Sequence, residues 1–308
     1  MTESPPPSLS VIIPAHNEAG RIGPCLAELF ASDPVPGGAE AIVVANGCTD
    51  ATLAEARAMQ AAAGVWPLTV LELVEGDKTR ALGAGETVAR GAVLAYLDAD
   101  VIVSPPLMAA LAETLGGPAP AYASGRVVIP EPESRPSRLY ARFYREVPFF
   151  HTGVPGCGLF ALNRAGRARW GDWPGIISDD TFARLNFTPA ERQLVPASYA
   201  WPVVEGWAAL VRVRRRQEAG VAEIGRRFPE LPANDDPRPG ARAAPQGSSP
   251  PSAGLPCLCG GARACPPAPR DRLGARPVSG IFAMETPRNR RHDAQDRGRT
   301  RAGDPCAA

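Results

Sequence analysis

Three short apolar runs in the first hundred residues each stop at a cluster of polar ones. Ser10 to Pro14 (SVIIP) leads into Ala15-His16-Asn17-Glu18, Ala41 to Ala45 (AIVVA) into Asn46-Gly47-Cys48-Thr49-Asp50, and Ala92 to Leu97 (AVLAYL) into Asp98-Ala99-Asp100. Short unbroken apolar runs with polar ends predict strands covered on both faces, as in a parallel sheet. Leu68 to Val74 (LTVLELV) predicts another strand. Between the runs the period lengthens. Ile22, Leu26, Leu29 and Phe30 share one helical face; a second helix passes through Leu53, Ala54 and Met59 and stops near Gly64, with Thr49 or Asp50 as its cap. A third helix is expected from Lys78 to about Arg90, interrupted by Gly83 and Gly85. The fold class that follows is α/β: a single doubly wound, mostly parallel sheet flanked by helices, with three polar clusters at one edge. Ligands of open α/β sheets collect at that edge.

The later chain adds a strand at Ala121 to Ile129 and a helix at Pro136 to Val147 with Leu139, Phe143 and Val147 on one face. Phe149-Phe150-His151 follows; such aromatics either stack on a ligand or fill a core. Gly156-Cys157-Gly158 opens the strand Leu159 to Leu162, where missing side chains let backbone approach a ligand. Ser178-Asp179-Asp180 precedes a helix at Thr181 to Phe187, so Ser178 or Asp179 can cap it and Asp180 lies in its first turn. Val211 to Gln217 (VRVRRRQ), after a helix-like Glu205 to Leu210, suits phosphate oxygens, a membrane surface or a solvated helix face.

Composition narrows the class. With 308 residues, 44% of them apolar, the chain can bury a full core, and a net charge of +1 argues against a nucleic-acid binder. The start MTESPPPSLS has neither a basic nor an apolar signal region, and no run approaches about 18 apolar residues, so a cytoplasmic location is expected. The cysteines lack paired metal spacing. Lys78 is the only lysine among 33 basic residues, a compact charge suited to phosphate in a chain that otherwise uses arginine. Asp98 and Asp100 offer hard oxygens for Mg2+ or Mn2+. Past Pro232 the chain is rich in Pro, Gly, Arg and Cys and loses all period. Expected boundaries are a flexible 1–8, a domain at 9–231 with halves 9–103 and 104–231, and a disordered tail at 232–308.

PAHNE at 14–18, NGCTD at 46–50, Lys78 with the following TRALGAG, DAD at 98–100, GCGLFALNR at 156–164 and SDD at 178–180 carry a resemblance. In their order and spacing the chain resembles an inverting family-2 glycosyltransferase of GT-A fold, over roughly residues 8 to 230. That resemblance implies metal-dependent transfer from a nucleotide-diphosphate sugar, UDP-linked by expectation, to a saccharide or lipid-linked acceptor hydroxyl, in polysaccharide, glycolipid or cell-envelope synthesis. Peripheral contact with the inner membrane face is compatible with it. It implies donor binding by Pro14, Ala15, Asn17, Glu18, Asn46, Asp50, Lys78, Asp98, Ala99 and Asp100, with Asp98 and Asp100 at the cation. Gly156, Gly158, Arg215 and Arg216 fall on the acceptor and closure side, and Asp180, with Asp179 beside it, takes the proton.

Two departures stand out. Similar enzymes commonly carry Glu-Asp where this chain has Asp179-Asp180, and an aromatic residue where Gln217 and Glu218 stand. A catalytically degenerate nucleotide-sugar-binding protein is the alternative. A sugar nucleotidyltransferase would want a glycine-rich basic loop after the first strand, and a dehydrogenase a G-x-G-x-x-G turn; AHNE is neither.

Overall fold

The structure, a computed structural model, describes residues 5–236. Its first half runs β1 (Leu9–Ala15), α1 (Ile22–Phe30), β2 (Ala39–Asn46), α2 (Thr52–Ala58), β3 (Leu68–Leu73), α3 (Lys78–Val88) and β4 (Val93–Leu97). Next come β5 (Ile102–Val103), α4 (Leu107–Thr114), β6 (Tyr122–Val128), α5 (Arg135–Arg145), α6 (Phe149–Thr152), β7 (Leu159–Asn163) and α7 (Arg164–Arg167). The last elements are α8 (Asp179–Leu185), β8 (Arg192–Ala200) and α9 (Trp207–Arg227). One sheet in the order β3-β2-β1-β4-β7-β6-β8-β5 holds all eight strands.

Neighbours from β3 through β4 are parallel, whereas β7 runs antiparallel to both β4 and β6. Parallel strands buried on both faces need apolar residues at successive positions, and every residue of β1, β2 and β4 is buried. Their side chains alternate between two cores. Val11 and Ile13 pack with α1, α2 and α4, while Ile12 packs with α3, α8 and α9. The doubly wound expectation is therefore met, with the three polar clusters at one edge.

α3 runs unbroken through its glycines. Gly85 faces β1, and a β-carbon there would stand 2.5 Å from Ile12 Cγ2; Gly83 has open space around it. The missing methyl at 85 is what lets helix and sheet approach. Gly85→Ala should destabilise the protein by about 1–3 kcal/mol through overpacking. Gly83→Ala should stabilise it by about 0.5–1 kcal/mol through helix propensity. Denaturant titration of both variants checks the pair, and equal effects would refute the packing role.

Three other expectations change. On α5 the face holding Leu139 and Phe143 points outward, 66% and 55% exposed, and Ser137, Ala141 and Tyr144 are the buried positions. The aromatic residues Tyr140, Tyr144, Phe150 and Trp201 form a small core of their own on that side. Glu205 to Gln217 does not divide into a helix followed by a basic segment, because α9 continues for 21 residues. Among the described residues no helix is long and apolar enough to cross a membrane. Order also extends past Pro232. Leu231–Asn234 forms a 3-10 turn, and Asp235 and Asp236 pair with buried arginines. The remainder of the expected tail, and residues 1–4, lie outside the described residues. Ser8 already bonds through its backbone to Gly38 and Val93.

Candidate active site

The ends of β1, β2 and β4 and the start of α3 surround a cleft of about 370 Å³. Pro14, His16 and Glu18 come from the end of β1 and the loop after it, and Asn46 from the end of β2. Gly76 and Lys78 come from the entry to α3, Asp98, Ala99 and Asp100 from the loop after β4, and Arg216 from α9. Of the residues expected here from sequence, Pro14, Glu18, Asn46, Lys78, Asp98, Ala99, Asp100 and Arg216 share this one wall.

Ala15, Asn17 and Asp50 instead build the loops behind it. Ala15 is fully buried, and its carbonyl accepts from Asn46 Nδ2 at 2.9 Å. Asn17 takes a positive φ of 56°, and its Oδ1 accepts from the Thr49 amide at 2.8 Å. Asp50 accepts from the amides of Ala19 at 3.1 Å and Thr52 at 3.0 Å. The AHNE and NGCTD motifs thus lock to each other, which stiffens the cleft floor. His16, which sequence reasoning did not assign, contributes Nδ1 to the Asn46 carbonyl at 2.6 Å. Gly76, also unassigned, packs against its ring, and single-sequence pattern carries no signal for it.

Lys78 is the electrostatic centre. Asp77 caps α3 by accepting from the Arg80 amide, which sets Lys78 in the first turn. Its Nζ lies 2.8 Å from Asp98 Oδ1 and 3.1 Å from Asp179 Oδ2, tying the strand-end motif to α8. Burial alone would lower the lysine pKa, but Asp179 and Asp98 override it and push it up, so Lys78 stays cationic. Burial pushes the Asp179 carboxyl up to about 6, opposed by Lys78 and reinforced by Asp180. Burial likewise raises Asp180, with Lys78 again opposing.

The two acids differ in their partners. Asp179 is 4% exposed and held by Lys78. Asp180 accepts only from its neighbour Thr181, at 2.6 Å through Oδ1, and among the described residues makes no ion pair. It borders a small cavity with Lys78, Asp98 and Gly158. Ser178 makes no side-chain cap, because its hydroxyl packs against Gly220 on α9.

Gly158, with φ at 72°, accepts from the Asp98 amide at 2.8 Å, which fixes the DAD loop to β7. Gly156 sits apart from the cleft, its α-carbon against the buried Tyr122 hydroxyl. Arg215 is exposed on α9, outside the cleft wall that Arg216 joins.

Among the described residues Asp100 makes no ion pair. Burial first, then the charges of Asp98 and Glu18, push its carboxyl up to about 6. The native state therefore holds a proton that the unfolded chain releases between about pH 4 and 6, so this group's contribution to stability falls as pH rises through that window. Asp100→Asn should raise the melting temperature above pH 6 and reduce the slope below it, while removing any response to Mn2+. Melting temperature against pH, with and without Mn2+, is the measurement; an unchanged Mn2+ response would exclude Asp100 as a ligand.

A model of the family described as "Glycosyl transferase family 2" matches residues 10–182. A dolichyl-phosphate beta-glucosyltransferase of Drosophila melanogaster is 38% identical over 107 residues, which is 32% of this chain and 33% of the relative. The chain thus matches about a third of that relative's length. Among solved structures, the mannosyltransferase PcManGT from Pyrobaculum calidifontis, in complex with GDP-Man and Mn2+, has a TM-score of 0.54 at 24% identity, covering 72% of this chain and 65% of that one. Residues 1–349 of S. aureus TarS give a TM-score of 0.50 at 14% identity, covering 75% and 66%. At such identities the structures share the GT-A fold and nothing finer is drawn from them. Since the family model spans more than half of its length and rests on that sheet, the chain belongs to glycosyl transferase family 2.

Proposed function

We propose that the protein moves a glycosyl group from a nucleotide-diphosphate sugar to an acceptor oxygen with inversion at the anomeric carbon. The observation that carries this reading is the Lys78 bridge from Asp98 to Asp179, which sets a fixed positive charge between the donor cleft and an acid, Asp180, that makes no ion pair among the described residues. Pro14, His16 and Asn46 wall the nucleoside side. Lys78 and Arg216 face the diphosphate, the arginine fork matching phosphate oxygens. Lys78 opposes the charge that builds on the leaving diphosphate, and because it is already in place no reorganisation is needed as the bond breaks. Asp180 takes the acceptor proton as the new C–O bond forms on the opposite face, and its raised pKa makes it a stronger base.

Asp98 and Asp100 fit a divalent cation. Their donor set is hard oxygen, and the crowding of Asp100 by like charges is what such an ion relieves. No cluster of three ligating side chains stands together among the described residues, so Asp98 and Asp100 would hold the ion together with the donor rather than alone. Mg2+ or Mn2+ bound there supplies charge neutralisation to the diphosphate.

A thermal-shift panel of UDP-glucose, UDP-GlcNAc and GDP-mannose, with and without Mn2+, tests the reading. A bound donor at about 100 times its Kd stabilises by roughly 2.7 kcal/mol. One donor should give a Mn2+-dependent shift and then turn over. Silence from all three would overturn the proposal, whereas binding without turnover would favour a nucleotide-sugar-binding protein. The acceptor class, saccharide or lipid-linked, is read from the second step; the name of the fly relative points to a dolichyl phosphate as the first lipid-linked probe.

A further inference from the structure

Two buried arginines stand behind the helix that carries Asp180. Arg184 lies one turn beyond Asp180 on α8, and its side chain is 5% exposed; Arg192 opens β8, and its side chain is 1% exposed. Buried guanidinium groups persist only with partners. Theirs come from the last described residues of the chain. Arg184 pairs with Asp235 at 2.6 Å and with Asp236 at 3.0 Å, and Arg192 with Asp236 at 3.2 Å.

The same segment closes the far end of α8, where the last carbonyls have no partner within the helix. Asn234 Nδ2 donates to the Leu185 carbonyl at 2.9 Å. Arg192 donates to the carbonyls of Arg184 at 3.1 Å, Phe187 at 2.7 Å and Asn234. The acceptor side is joined too. The Arg184 guanidinium lies over the Phe149 ring, 5.1 Å from its centre, and Asp236 packs against Gly153.

We propose that Asp235 and Asp236 are positioning residues for Asp180. By neutralising Arg184 and Arg192 they clasp α8, the start of β8 and the 149–153 segment into one unit, and so set the height of the base above the donor cleft. The clasp rests on reading Asp180 as the base only for its functional consequence; its mechanical part stands on the ion pairs alone.

Hydrogen exchange on the full chain separates the two. In the Asp235→Asn, Asp236→Asn double variant, amides of 180–187 and 149–158 should exchange at least tenfold faster, while those of β1, β2 and β4 keep their rates. Asp236→Glu, which retains the charge, should restore most of the protection. In transfer from UDP-glucose, UDP-GlcNAc or GDP-mannose, whichever the wild type turns over, kcat should fall at least tenfold with donor KM within twofold. Where the double variant does not fold, Asp235→Asn alone, which removes only one contact to Arg184, is read in the same way. Unchanged exchange over 180–187 would overturn the clasp. Equal acceleration in both halves would reduce it to a general stabiliser and overturn the positioning role. The expected exchange changes with unaltered kcat would overturn the positioning role, and the rate of Asp180→Asn then shows separately whether Asp180 is the base.

Discussion

Asp180→Asn should lower the transfer rate by about 10² to 10⁴ while leaving donor affinity unchanged. The amide keeps the shape and can still accept from Thr181, but it cannot take a proton. Donor affinity survives because the nucleotide side of the cleft is built from β1, β2, β4 and α3. Asp179→Asn should act differently. Asp179 holds one side of Lys78, so its loss weakens donor binding as well as rate, and KM should rise. Steady-state kinetics on both variants decide the assignment. If Asp179→Asn were the dead enzyme and Asp180→Asn the active one, the roles within the pair would be reversed. A small loss at Asp180 has its own meaning: an attacking phosphate oxygen is already ionised and needs no base, so the acceptor would then be a phosphate monoester.

A chain ending at Asn234 should be less stable by about 3 kcal/mol than one ending at Arg238, because it strands two buried guanidinium groups. The estimate sits at the low end of the range for broken buried pairs, since Asp235 and Asp236 are themselves 50% and 27% exposed. For a domain of this size that corresponds to a fall of roughly 6–12 °C in melting temperature. Calorimetry of the two truncations is the check, and coincident melting curves would refute the stabilising role.

How far the sequence could be read follows from the range of the forces involved. The parallel part of the sheet was legible because a strand covered on both faces must be apolar throughout, so AIVVA and AVLAYL announce themselves without reference to the rest of the chain. Lys78, Asp98 and Asp180 were legible as candidates because each sits at an element boundary. What failed was what depends on partners far along the chain. The Asp236 pairs join positions 44 and 52 residues apart, and nothing local marks them. Leu139 and Phe143 have helical spacing, yet the spacing does not say which face turns inward. Asn17 and Asp50 carry the expected motif, but their oxygens are used to bind neighbouring loop amides, a distinction visible only once both loops are placed side by side.

The seam between β4 and β7 has a practical meaning. There the strand direction reverses, with Val93 to Leu97 registered against Asn163 to Leu159, and the loop bearing Asp98 is fastened across it to Gly158. The lining of the cleft, apart from Arg216 on α9, arrives before the reversal, and Asp180 arrives after it. A protein engineer seeking a new acceptor could therefore graft the chain beyond Asp100 onto an unaltered first hundred residues, provided the five-residue splice, the Gly158 carbonyl that accepts from Asp98 and the Lys78 contact to the incoming Asp179 are copied intact.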